Sequence, residues 1–268
     1  MTSSIPLVVF SDLDGTLLDH ETYSWAPAEP ALARLRRLGI PLVLASSKTA
    51  AEMEVLQAQL GLASYPAIVE NGAGLIGPGT GNHVGTKTYD RLRAVLDLIP
   101  SGLRSQFRGF GDMSIEDIAQ ATGLTRVSAK LAQKRAFSEP GLWSGNQSDQ
   151  TAFVSELSKH GVSARAGGRF LTLSFGSTKK DRMDEIVALY SPRMSVALGD
   201  APNDLEMIEN ADHGFIVSNP HHPPLPRLKG EDEGRVQRTE AAGPHGWNAA
   251  INAFLDRHPS LLRGYKIG

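Results

Sequence analysis

Two aspartates, Asp12 and Asp14, stand at the end of an apolar run near the start of the chain. Side chains two residues apart on a strand point the same way, so both carboxylates can face one point. The Gly15 that follows allows the chain to turn sharply. Two carboxylates at one point repel each other unless a cation lies between them, so the pair indicates either a metal-assisted site or an ordinary capped Asp-Gly turn.

More polar side chains follow the ends of other predicted strands and the start of one helix. They are Ser46, Ser47 and Lys48 after the second strand, Asp200, Asn203 and Asp204 after a later strand, and Lys179 and Lys180 where a helix begins. Each group alone has an ordinary explanation as a loop residue, a helix-capping acid or a solvated charge. Because ligands of α/β proteins bind at the carboxyl edge of the sheet, the common position of these groups predicts one site there.

Composition excludes several other kinds of function. The 268 residues carry 27 Lys and Arg against 29 Asp and Glu, so no overall charge favours nucleic acid or an anionic membrane as a partner. The absence of cysteine excludes a disulfide scaffold, a Cys-ligated metal and a Cys nucleophile. The apolar run at 5–10 is too short for a membrane span and lacks the flanks of a signal peptide. We therefore expect a cytoplasmic protein that acts on a small molecule, with no nucleic-acid or membrane partner.

Strand and helix patterns alternate along both ends of the chain. Continuous apolar runs, typical of strands buried on both faces, alternate with amphipathic segments. The strands are predicted at 5–10, 40–45, 67–69, 194–198 and 214–217, and the helices at 27–38, 49–60, 178–190 and 247–255. This alternation predicts right-handed βαβ units and an α/β fold with a doubly wound, mostly parallel, Rossmann-like sheet. Residues 218–246, rich in Pro, Gly, His and charge, are predicted to form a loop.

The middle of the chain differs in character and is predicted to be an inserted smaller domain. Its segments are more polar and amphipathic. They favour helices at 89–99, 114–122 and 148–160 and strands at 162–166 and 169–175. We therefore expect a catalytic core formed by residues 1–84 and 178–268, interrupted by an α+β insert over 85–177. Ligands prefer to bind in the cleft between two such parts.

These motifs carry a resemblance to a known superfamily. Asp-Leu-Asp-Gly-Thr at 12–16, then Ser46, Lys180 and Gly-Asp-x-x-x-Asp at 199–204 resemble the haloacid dehalogenase superfamily of phosphohydrolases, in which the insert would be the mobile cap. Further blocks are similar to the mannosyl-3-phosphoglycerate phosphatases of its Cof-like sugar-phosphatase branch. These blocks lie at 10–18, 46–49, 69–73, 167–170, 198–204 and 243–247. The resemblance implies a phosphatase that acts on a phosphorylated sugar-glycerate.

The resemblance also assigns chemistry to four aspartates. Asp12 would attack phosphorus and form an aspartyl-phosphate, and Asp14 would protonate the leaving oxygen and then activate water. Mg²⁺ would be held by Asp12, the backbone carbonyl of Asp14 and Asp200, with Asp204 nearby. A carboxylate that approaches a phosphate is repelled by about 4 kcal/mol per charge pair at about 4 Å and an effective dielectric of about 20, so Mg²⁺ has to offset this repulsion.

The other implied site residues bind the phosphate or the rest of the substrate. The phosphate-binding residues are Ser46, Ser47, Lys180 and Asn203, and the substrate-binding residues are Lys48, Asn71 and Arg169. Arg169 is the leading candidate to bind a substrate carboxylate, because it stands beside the flexible Gly167-Gly168 pair in the insert. A solvated charge at a strand end is the alternative for Arg169.

The choice between the neighbouring lysines uses helix geometry. Three and seven residues after Lys180 stand Met183 and Val187, which are both apolar. Three and seven residues after Lys179 stand Arg182, which is charged, and Ile186. Since a catalytic lysine should lie next to the packed face of the helix, we predict that Lys180 serves the site.

Three functions are compatible with this pattern. They are a mannosyl-3-phosphoglycerate phosphatase, a broader sugar-phosphate phosphatase of the same superfamily, and a binding protein that keeps the fold without turnover. The intact set of predicted catalytic residues favours an enzyme.

Overall fold

The chain forms two β-sheets, a mostly parallel one of seven strands and an antiparallel one of four. They are seen in a computed structural model that describes residues 5–80, 87–221 and 223–262. The strands are β1 (Val8–Ser11), β2 (Leu42–Ala45), β3 (Ala67–Val69), β4 (Gly74–Ile76), β5 (Phe107–Gly109), β6 (Ser138–Trp143), β7 (Ser163–Gly167), β8 (Phe170–Ser174), β9 (Ser195–Gly199), β10 (His213–Ser218) and β11 (Val236–Ala242). The α-helices are α1 (Glu29–Arg37), α2 (Ala50–Leu60), α3 (Lys87–Leu98), α4 (Ser101–Arg104), α5 (Ile115–Thr122), α6 (Arg126–Ala132), α7 (Gln147–Lys159), α8 (Lys179–Tyr190), α9 (Leu205–Asn210), α10 (Lys229–Asp232), α11 (Gly243–Arg257) and α12 (Pro259–Leu262). Within these described ranges, no helix has the length and apolar character needed to span a membrane.

The seven-stranded sheet has the order β11-β10-β9-β1-β2-β3-β4, and every neighbouring pair is parallel except β3 with β4. β1 lies at its centre, and all four of its residues are buried. Phe10 is in register with Val43 on one side and with Ala197 on the other. With helices packed on both faces, this sheet confirms the predicted doubly wound α/β fold.

Successive residues of β1 contribute to two different cores. Val9 packs in a cluster with residues of α1, α2 and α11, whereas Val8 and Phe10 pack in a second cluster with residues of α8 and α9. Side chains alternate across a strand, so the apolar sequence of β1 supplies both layers. Trp247 of α11 is fully buried in the first cluster, and its indole N–H donates to Ser11 Oγ at 2.9 Å. The strand that leads into the predicted site is therefore fixed from both sides.

The four-stranded sheet has the order β5-β6-β8-β7 and lies within the predicted insert. α3 and α7 pack on it through an apolar cluster that includes Phe107, Phe153 and Leu173. α5 and α6 form a further small cluster with Phe110 and Met113. The described part of the insert thus has two apolar cores, while its Ala136 and Phe137 join the first cluster of the parallel sheet. The predicted boundary between residues 84 and 85 lies outside the described residues.

The prediction of a continuous loop over 218–246 is wrong. This stretch contains α10 and the edge strand β11, and α11 begins at Gly243 rather than at Trp247. β11 pairs in parallel with β10, and Val236 is buried while the rest of the strand is partly or fully exposed. A strand with one buried residue has neither an apolar run nor a clear alternation, so its polar sequence is typical of a loop. β4, β5, β6 and α6 also lack a sequence prediction, since each is short or contains Gly or Pro.

Gly72 lies where the turn after β3 meets the start of α8. Its φ is +89°, and a Cβ built on it would lie 2.0 Å from the backbone carbonyl carbon of Thr178. Only glycine combines this backbone conformation with so close a contact. The contact fixes α8, and the lysines at its start, against the turn.

We expect Gly72→Ala to lower the free energy of unfolding by about 3 kcal/mol or more, because the new methyl group would force the backbone apart as well as strain φ. Gly61→Ala is the matched control. Gly61 also has a positive φ, +69°, but its Cβ would meet nothing within 4 Å. That control should cost about 1 kcal/mol. Urea unfolding of the three proteins measures both losses, and equal losses would show that the contact with Thr178 does not matter.

Candidate active site

Three buried aspartates lie together at the carboxyl edge of the parallel sheet. Asp12 follows β1, and Asp200 follows β9, the strand paired with β1. Asp204 ends a short 3-10 helix just beyond Asp200. One carboxylate oxygen from each of the three lies within 4.8 Å of the others. The two neighbouring parallel strands thus bring together three of the aspartates that the sequence predicts for the site.

Hydrogen bonds hold these carboxylates in place. Thr16 Oγ1 donates to Asp200 Oδ1 at 2.5 Å, and Asn219 Nδ2 donates to Asp200 Oδ2 at 2.7 Å. Asp204 Oδ2 accepts from the backbone N–H groups of Asp200 and Ala201, at 3.2 and 3.0 Å. The protein itself therefore sets the orientation of the cluster, as preorganised sites require.

Lys179, not Lys180, reaches the aspartates. Its Nζ lies 2.5 Å from Asp12 Oδ1 and 2.6 Å from Asp204 Oδ1, and its side chain is 1% exposed. Lys180 lies on the solvent side of α8, where it pairs with Asp184. The prediction that places Lys180 at the site is therefore wrong.

The buried face of α8 explains the difference. Its buried residues are Lys179, Met183 and Ile186, which lie at offsets of zero, four and seven. Counting three and seven from Lys180 instead assigns Val187 to the packed face, but Val187 is only partly buried. Successive side chains on an α-helix differ in direction by about 100°. A small error in the assumed buried face therefore assigns the wrong one of two neighbouring lysines to the site.

The cluster concentrates negative charge in a buried place. Burial and the charge of Asp204 raise the pKa of the Asp12 carboxyl well above its usual range, against the opposing effect of Lys179. Burial also raises the pKa of Asp200. Burial disfavours the charge of Lys179, but Asp12 and Asp204 outweigh it and raise the pKa of the ammonium group. Lys179 therefore stays protonated beside the two carboxylates.

This donor set suits a divalent cation. Three carboxylates against one ammonium leave two formal negative charges among buried side chains. Hard oxygen ligands of this kind are those that Mg²⁺ prefers. Asp12, Asp200 and Asp204 could hold such an ion. The carboxylate of Asp14 is not part of the cluster, which leaves its backbone carbonyl as the predicted ligand.

The Asp14 carboxylate pairs with Lys48. Lys48 Nζ donates to both oxygens of Asp14, at 2.8 and 2.7 Å, and lies 5.5 Å from the centre of the Tyr23 ring. Burial opposes protonation of Lys48, but the charge of Asp14 raises the pKa of its ammonium group. The Asp14 carboxylate therefore contacts the loop that carries Lys48 rather than the buried cluster.

Ser46, Asn71 and Asn203 also gather at this edge of the sheet. Ser46 is buried, its Oγ accepts the backbone N–H of Lys48 at 3.2 Å, and its carbonyl accepts the N–H of Asn71 at 2.9 Å. Asn203 Nδ2 donates to Asn71 Oδ1 at 2.9 Å. Ser47 is exposed on the same loop. The ends of β2, β3 and β9 therefore meet at one place, as the sequence predicts.

Known proteins share this arrangement of sheets and helices. A family model of haloacid dehalogenase-like hydrolases matches residues 9–91. The sucrose-phosphatase from Synechocystis sp. PCC6803, solved with sucrose and phosphate, is 17% identical, with a TM-score of 0.62, and the match covers 93% of this chain and 98% of that one. A sugar phosphatase of subclass IIB of the same superfamily is 15% identical, with a TM-score of 0.59, over 95% of this chain and 99% of that one. The chain has a haloacid dehalogenase-like fold. A haloacid dehalogenase-like hydrolase from Bacteroides thetaiotaomicron has it too, with 19% identity and a TM-score of 0.65 over 92% of this chain and 98% of that one.

Within the insert of this haloacid dehalogenase-like fold, Arg169 is exposed in the turn between β7 and β8. Its Nη1 donates to the carbonyl of Ala121 in α5 at 2.6 Å. The described contact of Arg169 is therefore with another part of the insert, and its role in substrate binding stays a prediction.

Thr16 and Asn219 are site residues that the sequence prediction omits. Both donate to Asp200, and so both orient the cluster. Thr16 belongs to the Asp-Leu-Asp-Gly-Thr motif, and Asn219 directly follows β10. The rule that polar residues at the carboxyl ends of parallel strands form the site in folds of this kind would have found both.

Lys179→Met should destabilise the metal-free protein by about 3–5 kcal/mol at about pH 7, because it leaves Asp12 and Asp204 buried side by side without their cation. Lys180→Met should leave the free energy of unfolding nearly unchanged, since its ion pair is exposed. The loss in Lys179→Met should shrink as the pH falls, because Lys179 lowers the pKa of Asp12 and its removal lets the folded variant bind protons more readily than the folded parent.

Denaturant unfolding in EDTA and in Mg²⁺ measures these effects. Mg²⁺ should restore part of the stability lost in Lys179→Met, because a ligand that binds the folded state stabilises it. Equal stability of the two lysine variants in EDTA would contradict the role of Lys179 as the compensating charge.

Proposed function

We propose that this chain is a Mg²⁺-dependent phosphatase that hydrolyses a phosphorylated sugar through an aspartyl-phosphate on Asp12. The observation that carries the proposal is the Asp12 carboxylate, which lies beside Lys179 among buried aspartates at the strand ends. The haloacid dehalogenase-like fold, and the sugar phosphatases that share it, support the same activity.

Asp12 and Asp14 would divide the chemistry. A carboxylate oxygen of Asp12 forms a bond to phosphorus while the bond from phosphorus to the ester oxygen of the leaving sugar or glycerate group breaks. Asp14 donates a proton to that oxygen, so the leaving group departs as an alcohol. Asp14, now ionised, takes a proton from water, whose oxygen attacks phosphorus and releases phosphate and the Asp12 carboxylate. The ion pair of Asp14 with Lys48 has to loosen when substrate binds, since an ion-paired carboxylate carries no proton to donate.

The phosphoryl oxygens would be bound by donors around Asp12. Lys179 takes the role that the sequence assigns to Lys180, because its ammonium already contacts Asp12. Ser46, Ser47 and Asn203 would supply further donors to the charge that spreads over these oxygens in the transition state.

The aspartate cluster would hold the metal. Asp12, the backbone carbonyl of Asp14 and Asp200 are the proposed ligands, with Asp204 close by. When bound, Mg²⁺ would offset the repulsion between the Asp12 carboxylate and the phosphate, about 4 kcal/mol per charge pair.

The proposed substrate is mannosyl-3-phosphoglycerate, which would give mannosylglycerate and phosphate in the cytoplasm. The support for this substrate is the resemblance of the blocks at 46–49, 167–170 and 243–247 to mannosyl-3-phosphoglycerate phosphatases. A broader sugar-phosphate phosphatase is the second candidate. It is favoured by the sucrose-phosphatase and the subclass IIB sugar phosphatase that share the fold.

The insert would select the substrate. We propose that residues 85–177 act as a cap over the core, and that Arg169 and Lys48 are the cations available for the glycerate carboxylate. Asn71, which contacts Asn203 at the strand ends, would line the same pocket.

Phosphate release by the purified protein tests the proposal. The assay offers mannosyl-3-phosphoglycerate, its glucosyl analogue, 3-phosphoglycerate and a panel of sugar phosphates, with Mg²⁺ or with EDTA, and uses Asp12→Asn as the blank. We expect Mg²⁺-dependent turnover that is lost in Asp12→Asn, with kcat/KM about a hundredfold higher for the mannosyl ester, or about 2.7 kcal/mol of transition-state discrimination.

Other outcomes of this assay separate the candidates. A flat profile across the panel would favour the broader sugar-phosphate phosphatase. Absence of turnover with every ester would contradict the proposed function and favour a binding protein. Full activity in Asp12→Asn would contradict the aspartyl-phosphate on Asp12.

A further inference from the structure

Glu70 is a buried carboxylate that the proposed reaction does not use. It directly follows β3, and its side chain is 0% exposed. The hydrogen bonds described for this carboxylate all come from residues 135–138, which we call the docking segment. The docking segment lies at the junction of α6 and β6, inside the insert.

The docking segment surrounds this carboxylate with donors. The backbone N–H of Ala136 donates to Oε1 at 2.9 Å, and those of Phe137 and Ser138 donate to Oε2 at 3.1 and 2.7 Å. The Ser138 hydroxyl also donates at 2.7 Å, and the Arg135 guanidinium lies 3.2 Å from Oε2. A buried carboxylate is stable only with such partners, so the charge holds the insert in this position.

The docking segment contacts the core in two further ways. The Phe137 ring packs on Gly74 of β4 so closely that a Cβ there would lie 2.2 Å from it. Phe137 is also buried in the cluster formed with α1, α2 and α11. Arg135 Nη1 donates to the carbonyl of Ser47 at 3.4 Å. The segment therefore touches both the parallel sheet and the loop that carries candidate phosphate-binding residues.

The backbone of Glu70 reaches the same loop from the core side. Glu70 and Asn71 have φ values of +53° and +58°, a left-handed conformation that residues other than glycine adopt only where the surroundings impose it. The N–H of Glu70 donates to the carbonyl of Lys48 at 3.0 Å, and that of Asn71 donates to the carbonyl of Ser46 at 2.9 Å. The turn therefore binds the insert through the side chain of Glu70. It binds the loop that carries Ser46 and Lys48 through its backbone N–H groups.

We propose that Glu70 is a positioning residue that docks the insert on the loop carrying Ser46, Ser47 and Lys48. The docking keeps the leaving-group side of the pocket assembled. The kinetic part of this inference rests on the proposed phosphatase function, whereas the docking itself does not.

Amide hydrogen exchange tests the docking in the full chain, with Glu70→Gln as the variant and Glu139→Gln as the matched control. Glu139 is also a carboxylate with 0% side-chain exposure, but its partners lie within the insert. They are Tyr89, Arg93 and Gly111. Exchange at residues 136–138 should be about a hundredfold faster in Glu70→Gln than in the parent and within about threefold of the parent in the control. Unchanged protection in Glu70→Gln would overturn the proposal.

Steady-state kinetics test the positioning. Glu70→Gln should raise KM for the best sugar phosphate about tenfold and change kcat by less than about threefold, because the Asp12 cluster is untouched while the pocket loosens. Glu139→Gln should keep the parent KM. A purely structural role would lower the amount of active enzyme, and so kcat, in both variants without changing KM. The same rise of KM in both variants would overturn the assignment.

The docking can still be tested in two further cases. If no ester is hydrolysed by the parent, the proposed function fails, and amide exchange alone decides the docking. If Glu70→Gln does not fold, Ser138→Ala removes a single donor from the same carboxylate and should speed exchange at 136–138 by about tenfold. No change in that variant would overturn the proposal.

Discussion

Lys179 and the two carboxylates that it contacts, Asp12 and Asp204, form the buried charge arrangement on which the rest of the structure depends. Removing charged groups from water costs several kcal/mol each unless their partners are placed accurately. The chain meets this requirement by burying β1 on both faces, by pairing it with β9, and by starting α8 directly against the strand ends. One ammonium does not balance three carboxylates, and the remaining negative charge is what suits the cluster to a cation.

The turn after β3 contacts three of the elements that surround this charge arrangement. Its three residues, 70–72, all have positive φ, and each faces a different neighbour. Glu70 binds the insert, Asn71 binds the strand-end residues Ser46 and Asn203, and Gly72 lies against the start of α8. The left-handed backbone of Glu70 and Asn71, which are not glycine, persists only where surrounding contacts impose it. The turn therefore joins the start of α8, the loop that carries Ser46 and Lys48, and the insert.

Much of this site could be predicted from the sequence because it obeys a local rule. Asp12 and Asp200 follow apolar runs, and parallel strands carry such residues to one edge. Thr49 and Glu52 likewise form a capping box at the start of α2, and such a pair is visible in a sequence because its members lie within four residues. Patterns that depend on neighbours close in the chain, or on full burial, are visible without a structure.

The rest depended on tertiary contacts. Which lysine reaches Asp12 is decided by the face of α8 that the sheet buries, and neighbouring residues differ there by only about 100° of rotation. β11 is defined by its pairing with β10 rather than by its own polar sequence. The residues that donate hydrogen bonds to the Glu70 carboxylate lie 66 to 68 residues further along the chain, so no local pattern marks it. The charge of Arg169 made it a candidate for binding a substrate carboxylate. Its contact with α5 could not be predicted, because it joins residues far apart in the chain.

The most direct test of the central claim, that Asp12 becomes phosphorylated, uses Asp14→Asn with p-nitrophenyl phosphate and Mg²⁺. The nitrophenolate leaves without a donated proton, but water lacks its base, so the phosphoenzyme should accumulate. After acid quenching, borohydride reduction converts an aspartyl-phosphate to homoserine, and peptide mass spectrometry locates it. We expect homoserine at position 12 in Asp14→Asn and none there in Asp12→Asn. Modification at another residue, or nitrophenol release with no trapped phosphoenzyme, would contradict it.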